Sequence, residues 1–324
     1  MVTALQISSR VEDAPGATWA AHARALWPGY RTWFLSEGEQ ARPTYLATVR
    51  AMRAHMPELV PVYEQLVELV GGSDLQARCL GLYCPPPFVR GCSQAVWTRG
   101  EPLLVRNYDF VAELWEQCLL QTSWLGRPVL GMSDCLWGLL DGVNQAGLCL
   151  SLAFGGSRDV GTGFGVPLIV RYVLETCATC AEAVAALRRI PCHMAYNITV
   201  LDATGAHATV FVGPDRDAEV TSRRVITNHQ GTIAWQAHAE ATGSVDRLRV
   251  LTRHLDGDDE TEARFVQRFL EPPTYSHAHA RGFGTLYTAV YRPVGRTLQL
   301  LWPSARWDLA LGSIEERTVS VVLP

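Results

Sequence analysis

Gly91-Cys92-Ser93-Gln94-Ala95-Val96-Trp97 is followed, across Thr98 and the turn Arg99-Gly100-Glu101-Pro102, by Leu103-Leu104-Val105-Arg106-Asn107-Tyr108-Asp109. Two short apolar runs flanking a Gly- and Pro-containing turn predict a β-hairpin, which returns Arg106 and Asp109 to the strand carrying Cys92. A thiol beside a guanidinium is biased toward thiolate, the form that attacks carbonyl carbon. The pattern alone is unspecific, because a buried core cysteine with a neighbouring arginine also satisfies it.

Working outward, Pro85-Pro86-Pro87 interrupts regular structure just before the hairpin. Further upstream, apolar residues at helical spacing (Tyr63, Leu66, Val67, Val70), with Pro57 and Pro61 as breaks and Gly71-Gly72 as a stop, predict a mainly helical N-terminal segment. Downstream the character turns to short strands. Residues 148–154 form one; 198–201 and 208–212 pair across Asp202-Ala203-Thr204-Gly205; 285–291 and 297–302 pair around Pro293-Val294-Gly295. Helices lie between them, one over 167–177 and another opened by a capping box of Thr179 and Glu182. Strand pairs with interspersed helices indicate an α+β layered fold.

Composition removes several functions. All 28 basic residues among 324 are arginine, so Schiff-base chemistry and a phosphate-loop lysine are excluded. A net charge of −4 with scattered arginines offers no footprint for nucleic acid. No stretch approaches a membrane span, and the first residues lack a signal-peptide apolar core, so a soluble cytoplasmic protein is expected. Nine cysteines, an odd number, point to free thiols rather than a disulfide framework.

Gly-Cys followed by a hairpin ending Arg-Asn-Tyr-Asp resembles the choloylglycine hydrolase and penicillin acyltransferase superfamily of N-terminal-nucleophile enzymes, in its acyltransferase branch. Further segments resemble it in the same order: Asp141-Gly142-Val143-Asn144-Gln145-Ala146-Gly147-Leu148, then Tyr196-Asn197-Ile198-Thr199-Val200-Leu201-Asp202, Ser244-Val245-Asp246-Arg247 and Gly284-Thr285-Leu286-Tyr287-Thr288-Ala289-Val290-Tyr291. The resemblance implies a four-layer αββα fold over residues 92–324. Residues 1–91 would be a helical pro-segment, released or kept as a small subunit.

It also implies that Cys92 becomes a new N-terminus by cleavage after Gly91 and acts as the nucleophile on an amide or thioester of a small molecule or peptide. Water or an amine would then release the acyl group. By the same carry-over, Arg106 orders the site, Asp109 binds the new amine, and Asn144 and Asn197 stabilise the oxyanion. Arg247 joins that network, with Arg249 the competing match. Such a mechanism uses no metal and no cofactor, and Arg90 departs from the family's usual acidic residue before glycine.

Blander or rival readings attach to the rest. Cys79, Cys84 and Cys92 lack the spacing of a zinc site, and Cys177-Ala178-Thr179-Cys180 falls at a helix junction. Trp137 and Tyr83 are acyl-pocket candidates or core aromatics; Asn228 and His229 are pocket candidates or a turn at a strand end. A Cys-His hydrolase would use Cys92 uncut, with His193 or His229 as base. A non-catalytic binding protein on the same fold is the third reading.

Overall fold

The structure, a computed structural model, describes residues 4–89 and 91–324. The chain opens with β1 (Ala4–Glu12) and continues through α1 (Ala17–Phe34), α2 (Tyr45–His55), α3 (Val60–Leu69) and α4 (Asp74–Leu80). The hairpin β2 (Gly91–Trp97) and β3 (Leu103–Phe110) follows, then β4 (Cys118–Thr122), β5 (Val129–Asp134), β6 (Gly138–Asn144) and β7 (Cys149–Phe154). After α5 (Val166–Thr176) and α6 (Cys180–Arg189) come β8 (Tyr196–Leu201), β9 (His207–Val212), β10 (Glu219–Thr221) and β11 (Val225–Ile226). The last third holds α7 (Gln236–Ala241), α8 (Ser244–Asp256), α9 (Glu262–Gln267), β12 (His277–Ala278), β13 (Phe283–Arg292), β14 (Thr297–Trp302), β15 (Ala305–Ala310) and β16 (Arg317–Val322).

These strands form two sheets, ordered β10-β9-β8-β7-β6-β5-β4-β1-β16 and β11-β2-β3-β13-β14-β15, with β12 beside β13. Both sheets are largely buried, and their inner faces meet where Gln94 of β2 bonds Asn197 O of β8 at 3.0 Å and accepts from Ser151 of β7. Helix α5 lies on the outer face of the larger sheet. Gly142 permits this close approach, since a Cβ there would stand 2.8 Å from Leu174 Cδ1. On the far side, Ala95, Trp97, Leu103 and Val105 pack with Leu251, Leu255, Phe265 and Phe269 of the α8–α9 region. The alternation along β2 and β3 therefore sends one side-chain set to the other sheet and the next set to these helices. Helix, sheet, sheet, helix: the layering is αββα. The capping box is also formed, Thr179 Oγ1 accepting from Glu182 N at 3.2 Å and Glu182 from Ala178 N at 2.6 Å.

The N-terminal segment is not helical throughout. Its first strand, β1, pairs in parallel with β4 and antiparallel with β16, so it joins the C-terminal strand to the larger sheet. Leu5 and Ile7 are buried on one face, a period-2 signal too short to stand out in the sequence. Losing residues 4–12 would strip the pairing of two strand edges at once.

Helix α1 is pinned to the turn after β5. Trp19 Nε1 donates to Leu136 O at 2.9 Å, and Tyr30 OH donates to Glu116 Oε1 at 2.5 Å while accepting from Cys135 N at 2.9 Å. Glu116 also accepts from Leu136 N and Ser133 Oγ. Burial first, then the neighbouring Asp134, pushes its pKa from 4.5 up to about 7. The folded state therefore holds this proton more tightly than the unfolded chain. Its stabilising contribution is complete below about pH 4.5 and is lost as pH rises to about 7. Thermal melts of wild type should fall across that window relative to Glu116→Gln, by the equivalent of about 3 kcal/mol. Parallel melting curves of the two proteins would refute the assignment.

Candidate active site

Cys92 is the second residue of β2 and stands opposite Tyr108; two pairs along, Gln94 stands opposite Arg106. Strand periodicity puts Cys92, Gln94, Arg106 and Tyr108 on the face turned to the larger sheet. Arg106 Nη2 donates to Cys92 Sγ at 3.4 Å. The same guanidinium, fully buried, donates through Nη1 to Leu140 O at 2.8 Å and to Asp141. Asp141 accepts in addition from Tyr287 OH at 2.6 Å and from Tyr291 OH. These tyrosines are four residues apart on β13 and so share a face. Burial alone would lower the Arg106 pKa, but Tyr287, Cys92 and Asp141 together raise it, and the thiol faces a permanent cation.

A second network surrounds the backbone of Cys92. Its amide N donates to Asn228 Oδ1 at 2.9 Å, and Arg247 Nη1 donates to its carbonyl at 2.8 Å. Arg247 also bonds Ser93 Oγ (2.6 Å), Asp109 Oδ2 (3.3 Å) and Asn228 Oδ1 (2.8 Å). Asn228 is fixed through its own N–H to Ser244 Oγ at 2.9 Å. With two donors on Oδ1, its Nδ2 points the other way and donates to Phe154 O at 3.2 Å. Thr285 Oγ1 donates to Asp109 Oδ1 at 2.7 Å. Burial raises the Asp109 pKa against the opposing pull of Arg247 and Thr285, and lowers that of Arg247 against Asp109 and Cys92.

Gly91 pairs with Asp109 across the hairpin. A Cβ at position 91 would lie 3.0 Å from Asp109 Cβ and 3.3 Å from its Oδ2, so glycine lets the carboxylate sit against the peptide that precedes Cys92. Arg90 lies outside the described residues.

Cys92, Arg106, Asp109, Arg247 and Asn228 thus converge, and Arg247 is the arginine of the network. Arg249 is exposed and pairs with Asp246 at 2.9 Å. The expectation for Asn144 is corrected. Its Nδ2 donates to Leu174 O and Cys177 O, and its Oδ1 accepts from Ala146 N and Leu148 N. Both protons and both lone pairs are spent on the β6–β7 turn and the end of α5, leaving nothing for an oxyanion. Asn197 is corrected likewise: its Nδ2 donates to Thr227 O and His229 O, bracing the loop that holds Asn228.

Trp137 is a core residue rather than pocket lining, with its indole N–H on Leu80 O at 2.8 Å. His229 Nδ1 lies 2.8 Å from Ser244 Oγ, and its pKa is lowered by burial, Arg223 and Arg247. His193 is buried, its Nδ1 3.2 Å from Phe164 O, and burial pushes its pKa down to about 4. Among the described residues its Nε2 has no partner, so it does not serve the thiol. None of the nine cysteines forms a disulfide with another described residue.

Sequence reasoning missed Asp141, Tyr287 and Tyr291 as a unit, although all three lie within the motif segments. It gave Asn228 only a lining role. The available signal was its position after a strand-like run, which does not reveal that this strand pairs with β2.

A family model described as acyl-coenzyme A:6-aminopenicillanic acid acyl-transferase matches residues 97–307, beginning just after Cys92. Solved structures similar to the chain include penicillin V acylase from Agrobacterium tumefaciens, at 14% identity and TM-score 0.48, over 69% of this chain and 87% of that one. The Caenorhabditis elegans ortholog of N-acylethanolamine-hydrolyzing acid amidase has 17% identity and TM-score 0.47, over 68% and 99%. A variant of the conjugated bile acid hydrolase from Clostridium perfringens has 13% identity and TM-score 0.46, over 72% and 97%. No curated protein matches. Among the described residues, no helix is long and apolar enough to cross a membrane.

Proposed function

Since the chain belongs to the acyl-coenzyme A:6-aminopenicillanic acid acyl-transferase family, we propose that it is a cysteine N-terminal-nucleophile acyltransferase or amidohydrolase, activated by cleavage between Gly91 and Cys92. The observation that carries this is the network built on the main chain of Cys92 rather than on its thiol alone. Asn228 Oδ1 accepts from its N, Arg247 binds its O, and Asp109 lies across from Gly91. An interior amide needs only one acceptor. A free α-amine at this position would use several, and Asn228 and Asp109 stand ready to supply them.

Activation would begin with Cys92 Sγ attacking the Gly91 carbonyl. The C–N bond breaks as the nitrogen takes a proton, and water hydrolyses the resulting thioester, leaving a Gly91 carboxylate and a free Cys92 amine. An α-amine of pKa about 7.7 to 8.0 is partly neutral near pH 7 and can take the thiol proton. Arg106 stabilises the thiolate so formed, and Asp141 with its two tyrosines keeps that guanidinium in place. Attack on a substrate amide or thioester gives an acyl-enzyme. Asn228 Nδ2 is the donor suited to the oxyanion. Water or an amine then accepts the acyl group.

Residues 1–91 would remain as a bound subunit, because β1 is paired on both sides within the larger sheet. Denaturing intact-mass measurement should give pieces of 91 and 233 residues that co-elute under native conditions. A chain that stays whole yet turns over amides at full rate would overturn the free-amine mechanism.

A further inference from the structure

Tyr275 lies in the segment between α9 and β12, and the residues on either side of it are tied to one face of β3. Asn107 Nδ2 donates to Thr274 O at 3.1 Å and to Phe269 O at 2.8 Å. Ser276 N donates to Thr285 Oγ1, and Thr285 N returns a bond to Ser276 O, both at 2.8 Å. Thr285 Oγ1 in turn donates to Asp109 Oδ1 at 2.7 Å. Asn107 and Asp109 are two residues apart on β3 and share a face, so Tyr275 is strung between the partners of both. It is 1% exposed, and among the described residues its OH has no hydrogen-bond partner. Burying a phenol O–H without an acceptor costs free energy, and such a group in a packed interior calls for a reason. Burial first, then the Asp109 carboxylate, raises its pKa and keeps it a donor.

Asp109 has acceptor capacity to spare. Oδ1 accepts from Thr285 and Oδ2 from Arg247, two of the roughly four bonds a carboxylate can accept. In the whole chain Gly91 stands against this carboxylate, and a Cβ there would fall 3.0 Å from Asp109 Cβ. Breaking the Gly91–Cys92 bond frees residue 91 from the strand and sets an amine at the head of β2. We propose that Tyr275 is a positioning residue of the cut enzyme: when Gly91 withdraws, its O–H donates to Asp109 and fixes that carboxylate on the new amine of Cys92. The proposal rests on the assignment of Cys92 as a nucleophile freed by cleavage. Before the cut the phenol is idle. The charged and titratable groups around the pair are Arg247 of α8, Arg106 of β3, Cys92 of β2 and His277, whose ring lies 5.3 Å from that of Tyr275.

Tyr275→Phe removes only the hydroxyl. It is made in two backgrounds, Cys92→Ala, which stays whole, and the otherwise wild-type chain after cutting, and each is melted at one protein concentration. In the whole chain, where the O–H has no acceptor, the variant should melt no lower than its parent. In the cut protein it should melt lower by several degrees at about pH 7, the loss expected for a hydrogen bond to a charged group. A bond to the ionised form lowers the folded pKa of Asp109 relative to the variant. Its contribution is therefore present above that pKa and lost as pH falls through it, so the difference between cut wild type and variant should shrink on acidification. His277 is common to both backgrounds, and comparing them removes its effect.

The cut variant should also be acylated about 10-fold or more slowly by p-nitrophenyl acetate. In that reaction Cys92 Sγ attacks the ester carbonyl, its proton passes to the α-amine, a C–S bond forms, the C–O bond breaks and p-nitrophenolate leaves; the acyl-enzyme is read by mass. Equal melting shifts in the two backgrounds, or a cut variant that melts and is acylated like cut wild type, would overturn the role of Tyr275 alone. Wild type that yields no fragment beginning at Cys92 would instead overturn the reading on which the proposal rests, and the proposal with it.

Discussion

Cys92→Ala is expected to give a single 324-residue chain without turnover, because one sulfur serves two reactions under the proposed mechanism. It attacks the Gly91 carbonyl to free the amine, and the same atom forms the acyl-enzyme. The loss should be at least about 10⁴-fold in kcat, since no remaining group supplies a covalent route. The fold should survive: the thiol is a small buried group, and the bonds that hold this backbone come from Asn228 and Arg247 to Cys92 N and O, which alanine retains. Mass measurement and a progress curve with any substrate that acylates wild type check both halves. A cut Cys92→Ala chain, or one retaining turnover, would remove Cys92 from its role.

Substitutions at Asn228 and Asn144 should separate two asparagines that look alike in the sequence. Asn228→Asp keeps an oxygen for Cys92 N and Arg247 Nη2 and removes the Nδ2 donor. It should lower kcat by about 10² to 10³, or about 2.7 to 4 kcal/mol of transition-state stabilisation, a larger effect than the stability lost where Phe154 O gives up its donor. Asn144→Ala should do the reverse. It leaves the Leu174 and Cys177 carbonyls and the Ala146 and Leu148 amides without partners. That should cost about 2 kcal/mol or more of stability at nearly unchanged kcat in the folded protein. Equal kinetic losses at the two positions would return Asn144 to the site.

The misreading of these asparagines has a physical origin. A motif records a residue type at a place in the order of segments, and Asn144, at the end of β6, and Asn197, at the start of β8, both satisfy that. The direction of the side chain depends on which backbone groups are left unpaired nearby. For Asn144 these are the carbonyls at the end of α5 and the amides of its own turn, a local demand that absorbs all its bonding capacity. For Asn228 the neighbour is β2, and that pairing joins strands more than a hundred residues apart in the chain.

Arg106 shows the same limit from another side. Its proximity to Cys92 follows from hairpin register, which depends on the residues between them and was legible. The counter-ion Asp141 sits on the other sheet, and its tyrosines come from the end of the chain. No local pattern relates these three segments.

What the sequence by itself determined is therefore the near-neighbour geometry: the hairpin carrying Cys92, Arg106 and Asp109, the later strand pairs, the capped helix α6, and through the ordered motifs the αββα architecture. These depend on period-2 and period-3.6 patterning and on turn chemistry, which act over a few residues. Only the tertiary structure decided that β1 completes the larger sheet, that Arg247 and Asn228 close on the backbone of Cys92, and that α1 is pinned to the turn after β5. Each is a contact between distant segments, fixed by which buried donors, acceptors and apolar faces remain for one another once the local elements have formed.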